Sequence, residues 1–273
     1  MTDTTPRRRF LAGAAAAGLG ALGGCISLGE RQQTEETHTF DVADLDELTL
    51  RNGVGDVSVA AEDRSDVRVR AVTRAANEDH FDSISLVEQR SGGTLALSVD
   101  NEIDSVLLGS PPSMDLDVAV PSDLRVADVK TDTGDVEIEG TSGALNLETD
   151  TGDGVVRSVE GAVDATTETG DLTIRSSTSV SGVETETGDA EIDVAALDGD
   201  ARLETETGDV DAALAASLDA RVVVRTETGD VTSGGLDFSD LESGEHRLEG
   251  TLGEGSNELT IETETGDVTL SGL

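Results

Sequence analysis

From Val129 to the end of the chain, apolar and polar residues alternate in short runs, and a signature, T-[DE]-T-G-D, punctuates them. Aligning the copies on Gly134, Gly152, Gly170, Gly188, Gly208, Gly229 and Gly266 shows which way the side chains point. Five positions before the glycine stand Val129, Leu147, Ala165, Val183, Leu203, Val224 and Ile261. Two positions after it stand Val136, Gly154, Leu172, Ala190, Val210, Val231 and Val268. The residues three and one before are always Thr, and the residue between them is always acidic. Alternation with period two is the mark of strands with one buried face. It groups offsets −5, −3 and −1 on one face and offsets +2 and +4 on one face, with the parity changing across Gly-Asp. That change predicts a corner, where glycine supplies backbone freedom and the Asp side chain can bond neighbouring amides.

The glycines are spaced 18, 18, 18, 20, 21 and 37 residues apart. Coils of that length, bending at Gly-Asp and again near Ser142-Gly143 or Gly199-Asp200, would stack equivalent positions about 4.8 Å apart. No single coil could bury its own apolar face, whereas several stacked ones can. The expected fold class is all-β: a β-helix-like solenoid with regular coils over 129–273. The last interval, about twice the others, predicts a coil near Gly244 to Gly250 that has lost the signature. The ending Leu270-Ser271-Gly272-Leu273 predicts an exposed strand edge through which an oligomer could form.

Upstream, over 39–128, the strands are looser. The run from Leu50 carries the corner once, at Gly55-Asp56, with Val57 and Val59 in phase. VRVRAV from Val67, ISLVEQ from Ile84, TLALSV from Thr94 and MDLDVAVP from Met114 read as irregular starting coils that cap the solenoid, with a turn at Pro111-Pro112. Composition fits a thin core. Apolar residues make up 36% but aromatics only 1%, with no Trp or Tyr, so stacked Val, Leu, Ile, Ala and Thr must fill the interior.

Charge narrows the function. The formal net charge is −40, from 58 acidic and 18 basic residues. A polyanion without a basic patch does not bind nucleic acid. The acid-rich, lysine-poor composition resembles proteins of halophilic archaea, which fold in high salt. Acidic residues at offsets −2 and +1 would form columns: Asp132 and Asp135, Asp150 and Asp153, Glu168 and Asp171, Glu186 and Asp189, Glu206 and Asp209. Carboxylates about 5 Å apart repel by roughly 0.8 kcal/mol per pair in water, and salt screens that repulsion. These columns are the candidate sites for diffuse cation association. Calcium is the sharper version, but a calcium β-roll needs its G-G-x-G-x-D motif in both halves of each coil, and VEIEGTSGALNL has no copy.

No catalytic constellation stands out. A polysaccharide-acting β-helix enzyme would use a carboxylate pair, but a catalytic pair should break the repeat, whereas every copy here carries the same carboxylates. His38, His80 and His246 fall singly, in no metal-ligand or triad spacing. No cofactor and no firmly assigned metal site is expected. Arg175, Arg202, Arg221 and Arg225 interrupt the acidic field, either as a contact patch or as partners of nearby carboxylates.

The first residues read as an address. Arg7-Arg8-Arg9-Phe10-Leu11 resembles a twin-arginine export signal, in which Arg7, Arg8, Phe10 and Leu11 carry the match and Pro6 departs from the usual Ser or Thr. A short, mildly apolar run follows, well under the roughly 20 residues needed to span a bilayer. Leu22-Gly23-Gly24-Cys25 then resembles a lipobox, with Cys25 as the lipidated residue. The expected organisation is a signal peptide over 1–24, a lipidated cysteine and polar tether over 25–38, and the solenoid beyond. The chain would sit on the outer face of the cytoplasmic membrane, held by a lipid.

The strand DVAVPSDLRV leading into VKTDTGDVEIEG, followed by the recurring T-G-D corners, resembles a family of envelope domains of unknown function named "putative adhesin". The resemblance covers Thr39 to Leu273. It implies a right-handed β-helix-like solenoid and a non-catalytic, adhesin-like or surface-structural role, with a cell-surface or envelope protein or polysaccharide as partner. The alternative is an envelope binding or scaffold module that associates with cations.

Overall fold

The computed structural model describes residues 32–103 and 111–273. Arg7, Arg8, Phe10, Leu11 and Cys25 lie outside the described residues. The alternating runs form strands joined in pairs across Gly-Asp corners. The regular pairs are β8 (Arg125–Thr133) with β9 (Val136–Glu139), β10 (Leu145–Thr151) with β11 (Gly154–Arg157), and β12 (Ala162–Thr169) with β13 (Leu172–Arg175). They continue with β14 (Ser179–Thr187) and β15 (Ala190–Val194), β16 (Leu197–Thr207) and β17 (Val210–Leu214), and β18 (Ala220–Thr228) and β19 (Val231–Gly234). A hairpin, β20 (Ser239–Gly244) and β21 (Arg247–Leu252), precedes the pair β22 (Asn257–Thr265) and β23 (Val268–Gly272). Upstream lie β1 (Gln32–Asp41), β2 (Glu47–Val54), β3 (Val57–Glu62), β4 (Asp66–Ala75), the short helix α1 (Glu78–Asp82), β5 (Ile84–Ser91), β6 (Thr94–Asn101) and β7 (Ser113–Pro121).

Two long sheets result. One has 11 strands in the order β1-β4-β7-β3-β9-β11-β13-β15-β17-β23-β19. The other has 12, in the order β20-β21-β18-β22-β16-β14-β12-β10-β8-β2-β6-β5. Neighbouring coils pair in parallel, as a solenoid requires, and equivalent residues stack: Leu147 lies between Val129 and Ala165. The columns at offsets −5, +2 and +4 are buried as their period predicts, with Leu203, Val210 and Ile192 among the core residues, except on β19, where Val231 is half-buried and Ser233 exposed. Full burial of such aliphatic side chains stabilises by roughly 1.5–3 kcal/mol each. Phe40 is the one aromatic buried in the core among the described residues.

The order of stacking departs from the order of the chain at both ends. The pair β22/β23 lies between β16/β17 and β18/β19, pairing in parallel with both neighbours. The interval of 37 residues is therefore no degenerate coil. It holds the antiparallel excursion β20–β21, after which the chain returns to fill a slot one coil back. Leu270 to Gly272 consequently sit in an interior strand, and the expected open edge at the chain's last strand is not there. At the other end, β2/β3 lies between β6/β7 and β8/β9. The upstream strands are not all coils: β4 runs antiparallel to β7, and β5 to β6.

Two smaller expectations also change. Gly199-Asp200 is not a corner: Val180 pairs with Leu197 and Gly182 with Arg202, so the residues between bulge outward and lengthen that coil. The bend expected near Ser142-Gly143 is there, with Gly143 at φ 103, and beside it the regular coils stack three left-handed residues, Gly140 (φ 68), Ser158 (φ 56) and Ser176 (φ 54). The segment expected as a tether is a strand from Gln32 onward, paired with β4 from Gln32↔Ala75 to Asp41↔Asp66. Apart from Phe40 and the half-buried His38 its side chains are exposed, so backbone pairing rather than burial orders it.

Candidate functional site

Continuous sheet hydrogen bonding cannot turn a corner without loss, and the repeated signature supplies what is lost. At the corner of β12/β13, Gly170 N–H donates to Thr187 O at 2.9 Å and Leu172 N–H to Asp189 O at 2.9 Å, both in the next coil. The Gly170 carbonyl and the Asp189 N–H lie off that ladder. The Thr185 hydroxyl donates to Gly170 O at 3.2 Å, and Asp189 N–H donates to Asp171 Oδ1 at 2.8 Å. Buried backbone groups left without partners are costly, so each coil replaces two lost backbone bonds with two side-chain bonds.

The same pair of bonds repeats along the stack. Thr131, Thr149, Thr167, Thr205, Thr263 and Thr226 donate to the glycine carbonyl of the neighbouring coil at 3.0–3.3 Å. The carboxylates of Asp56, Asp135, Asp153, Asp189, Asp209 and Asp267 accept from the N–H of the next aspartate at 2.7–3.1 Å. The corner glycines hold φ between 145 and 152 from Gly134 to Gly266. A Cβ on any of them would sit well inside van der Waals contact of the carbonyl of the glycine below, so only glycine fits.

The signature residues thus divide. The Thr at offset −3 is buried, as Thr185 is at 1% exposure. The Thr at offset −1, such as Thr187, is exposed, contrary to the expected shared face. The strand has reached the corner by that point, and its last side chain passes the edge of the core. Asp135, Asp153, Asp171, Asp189 and Asp209 form one exposed column, each with an oxygen engaged in the ladder. Asp132, Glu168, Glu186 and Glu206 stand exposed on the strands before the corner, and Asp150 is half-buried.

Both ends of the ladder are closed by residues that carry no signature. Asn52 occupies the threonine place before Gly55, and its Nδ2 donates to Gly55 O and Met114 O, both at 2.9 Å. Asp115 accepts from Asp56 N–H at 3.4 Å, so Met114-Asp115 acts as a corner below the first one. At the far end, His246 Nδ1 bonds Gly229 O at 2.6 Å; a carbonyl only accepts, so Nδ1 carries the proton. Val231 N–H donates to Glu245 O at 2.8 Å. The Glu245-His246 turn imitates the next coil. Asn52 stands at the offset −3 of the Gly55 corner, in phase with the threonines, whereas nothing in the period of the sequence marks His246 for this role.

The arginines resolve into pairs. Arg202 bridges Glu204 (2.5 Å) and Glu262 (2.7 Å), Arg221 meets Glu249 (2.6 Å), Arg225 meets Glu262 (3.1 Å), and Arg175 meets Glu191. The Arg202 hydrogen bond holds the Glu204 carboxyl below its ordinary range. Asp219, at the entrance to β18, accepts from the backbone of Glu254, Gly255 and Ser256 at 2.7, 2.6 and 3.2 Å, and from the Ser256 hydroxyl at 2.7 Å. Those bonds, the Ser256 hydroxyl first, pull its carboxyl below the usual value and clip the turn that sends the chain into β22.

An open depression of about 430 Å³ borders the first ladder steps, beside Asp56, Asp135, Asp153 and the Arg157–Glu137 pair. Among the described residues, no group of three or more His, Cys, Asp or Glu converges in an arrangement that could hold a metal ion. No helix among them is long and apolar enough to cross a membrane.

A sequence profile of the Toastrack DUF4097 family matches residues 43–271. The chain belongs to that family. Among solved structures, the Toastrack chain is similar to a "putative adhesin" from Bacteroides fragilis, at 15% identity and TM-score 0.47, covering 88% of this chain and 97% of that one. A "putative cell adhesion protein" from Clostridium sporogenes shows 12% identity and TM-score 0.42, covering 88% and 100%. A "putative lipid binding protein" from Parabacteroides distasonis shows 14% identity and TM-score 0.43, covering 88% and 97%. No curated protein matches this Toastrack chain.

Proposed function

We propose that this protein is a lipid-anchored, extracytoplasmic module whose acidic solenoid is non-catalytic and serves an adhesin-like or surface-structural role. The observation that carries the reading is the use of the repeated side chains. Thr at offset −3, Gly, and Asp at offset +1 join each coil to the next, which is scaffold chemistry repeated at every level rather than a site assembled once. The ordered signals ending at Cys25 support anchoring. A two-chain lipid at Cys25 meets the requirement for firm membrane attachment. Metabolic lipid labelling tests the anchor: the native chain should take up label and partition with membranes, and Cys25→Ser should do neither. Deleting the gene should lower attachment of cells to surfaces; unchanged attachment, with a defined envelope protein co-purifying, would favour a scaffold.

Cation association forms part of the proposal. The exposed carboxylates at offsets −2 and +1 form two like-charged columns whose repulsion counterions relieve. Strand content followed by circular dichroism should fall on desalting into chelator, and a spectrum that stays constant would count against it.

A further inference from the structure

The two sheets leave four edges, and they differ. β19 is four residues long, and its Val231 N–H is already taken by Glu245 O. β20 pairs irregularly with β21 and carries Asp240 at φ 52. β5 has eight residues, with Arg90 tied to Asp41 O at 2.8 Å. β1 is the longest at ten residues; it runs against β4 without a bulge and contains no proline, and among the described residues no strand pairs with its outer side. A long regular edge is a template for another strand.

We propose that β1 pairs antiparallel with β1 of a second copy, joining two solenoids into one continuous sheet about a twofold axis. Among registers that pair most of the strand with a second copy, its sequence favours one. In an antiparallel pair, opposed residues turn their N–H and C=O groups either both toward the partner or both away. A strand pairing with its own copy must therefore oppose residues of equal parity. Centring the axis on Thr37 opposes Glu36 with His38, Glu35 with Thr39, Thr34 with Phe40 and Gln33 with Asp41. No like charges meet, and the Glu36–His38 contact already seen within the chain at 3.6 Å gains a counterpart across the axis. Centring on Glu36 or Glu35 opposes that carboxylate with itself, and centring on His38 opposes Glu35 with Asp41. Like charges directly opposed destabilise an antiparallel pair. The Thr37 register forms about eight to ten new backbone bonds. Because each copy carries a net charge of −40, pairing should strengthen as salt screens the bodies from one another.

Cysteine crosslinking in the full chain with Cys25→Ser reads the register directly. Thr37→Cys places two thiols across the axis with Cα atoms about 4.5–5.5 Å apart, inside disulfide reach. Thr34→Cys places them about 20 Å apart, at 3.3 Å per residue. Val87→Cys reports on the β5 edge. At about 2 M salt, Thr37→Cys should form crosslinked dimer at least about fivefold faster than either control. His38→Glu should weaken the dimer about tenfold in sedimentation equilibrium, and His38→Glu with Glu36→Lys should restore it. Equal crosslinking at all three positions, fastest crosslinking at Val87→Cys, or a monomer at every salt concentration overturns the proposal.

Discussion

The buried threonine column makes a quantitative claim that one strand can test. Thr185 and Thr187 share β14, two residues apart, but only the Thr185 hydroxyl is buried and bonded, to Gly170 O at 3.2 Å. Thr185→Val keeps the shape and removes the donor, leaving the Gly170 carbonyl without its partner. An orphaned buried acceptor costs about 1–3 kcal/mol, partly offset because the hydroxyl no longer has to be desolvated. The expected loss is about 1.5 kcal/mol, roughly a tenfold shift in the unfolding constant. With a urea slope of about 3 kcal/mol/M, the midpoint should fall by about 0.5 M at fixed salt. Thr187→Val, at an exposed position, should stay within about 0.5 kcal/mol of the parent. Thr149 lies two coils away from Thr185, about 10 Å, so Thr149→Val with Thr185→Val should lose the sum of the two, about 3 kcal/mol. If Thr187→Val proves as damaging as Thr185→Val, the hydroxyl-to-carbonyl ladder is not what holds the corners.

Other consequences follow from the same geometry. Gly188→Ala forces a Cβ against the Gly170 carbonyl at φ 151 and should destabilise by about 3 kcal/mol or more, whereas Gly199→Ala, with open space around its Cβ at φ 91, should lose only about 1 kcal/mol; thermal melts compare them. Ser158→Gly relieves a left-handed residue (φ 56) and should gain about 0.5–1 kcal/mol, read as a rise in denaturation midpoint. The Asp219 carboxyl is held below its ordinary pKa, chiefly by Ser256, so its contribution is complete above that ordinary value and disappears as pH falls through the lower folded one. Amide protection at Glu254, Gly255 and Ser256, taken relative to the intrinsic exchange rate at each pH, should fall across that acid window in the parent, and Asp219→Ala should already show low protection at neutral pH.

The regular coils were legible because each repeats one local solution. Period two gives the buried columns, and a parity change at Gly-Asp gives the corner. The stacking order was not legible for the same reason. Every copy of T-[DE]-T-G-D offers equivalent backbone and side-chain partners, so nothing in Gly266 says whether it rests on Gly229 or on Gly208. Parity also failed at its limit, at Thr187, where the strand leaves the core. Residues 32–38 of β1 read as part of a tether because alternation reports burial, and β1 buries Phe40 alone while pairing along its whole length with β4. His246 closes the ladder as a single residue outside any repeat, so only three-dimensional proximity to the Gly229 carbonyl reveals it, whereas Asn52 holds the threonine offset but with an amide whose two bonds the period does not announce.

The wedged position of β22/β23 has a mechanical meaning. In a solenoid stacked in chain order, tension on the final strand peels one ladder open bond by bond. Here the final pair is hydrogen-bonded along both flanks, to β16/β17 on one side and β18/β19 on the other. Tension applied near Gly272 along the strand direction therefore shears two ladders at once, and the bonds share the load instead of failing in turn. A pull at Gly272 thus loads a pair that is held in the interior of the stack.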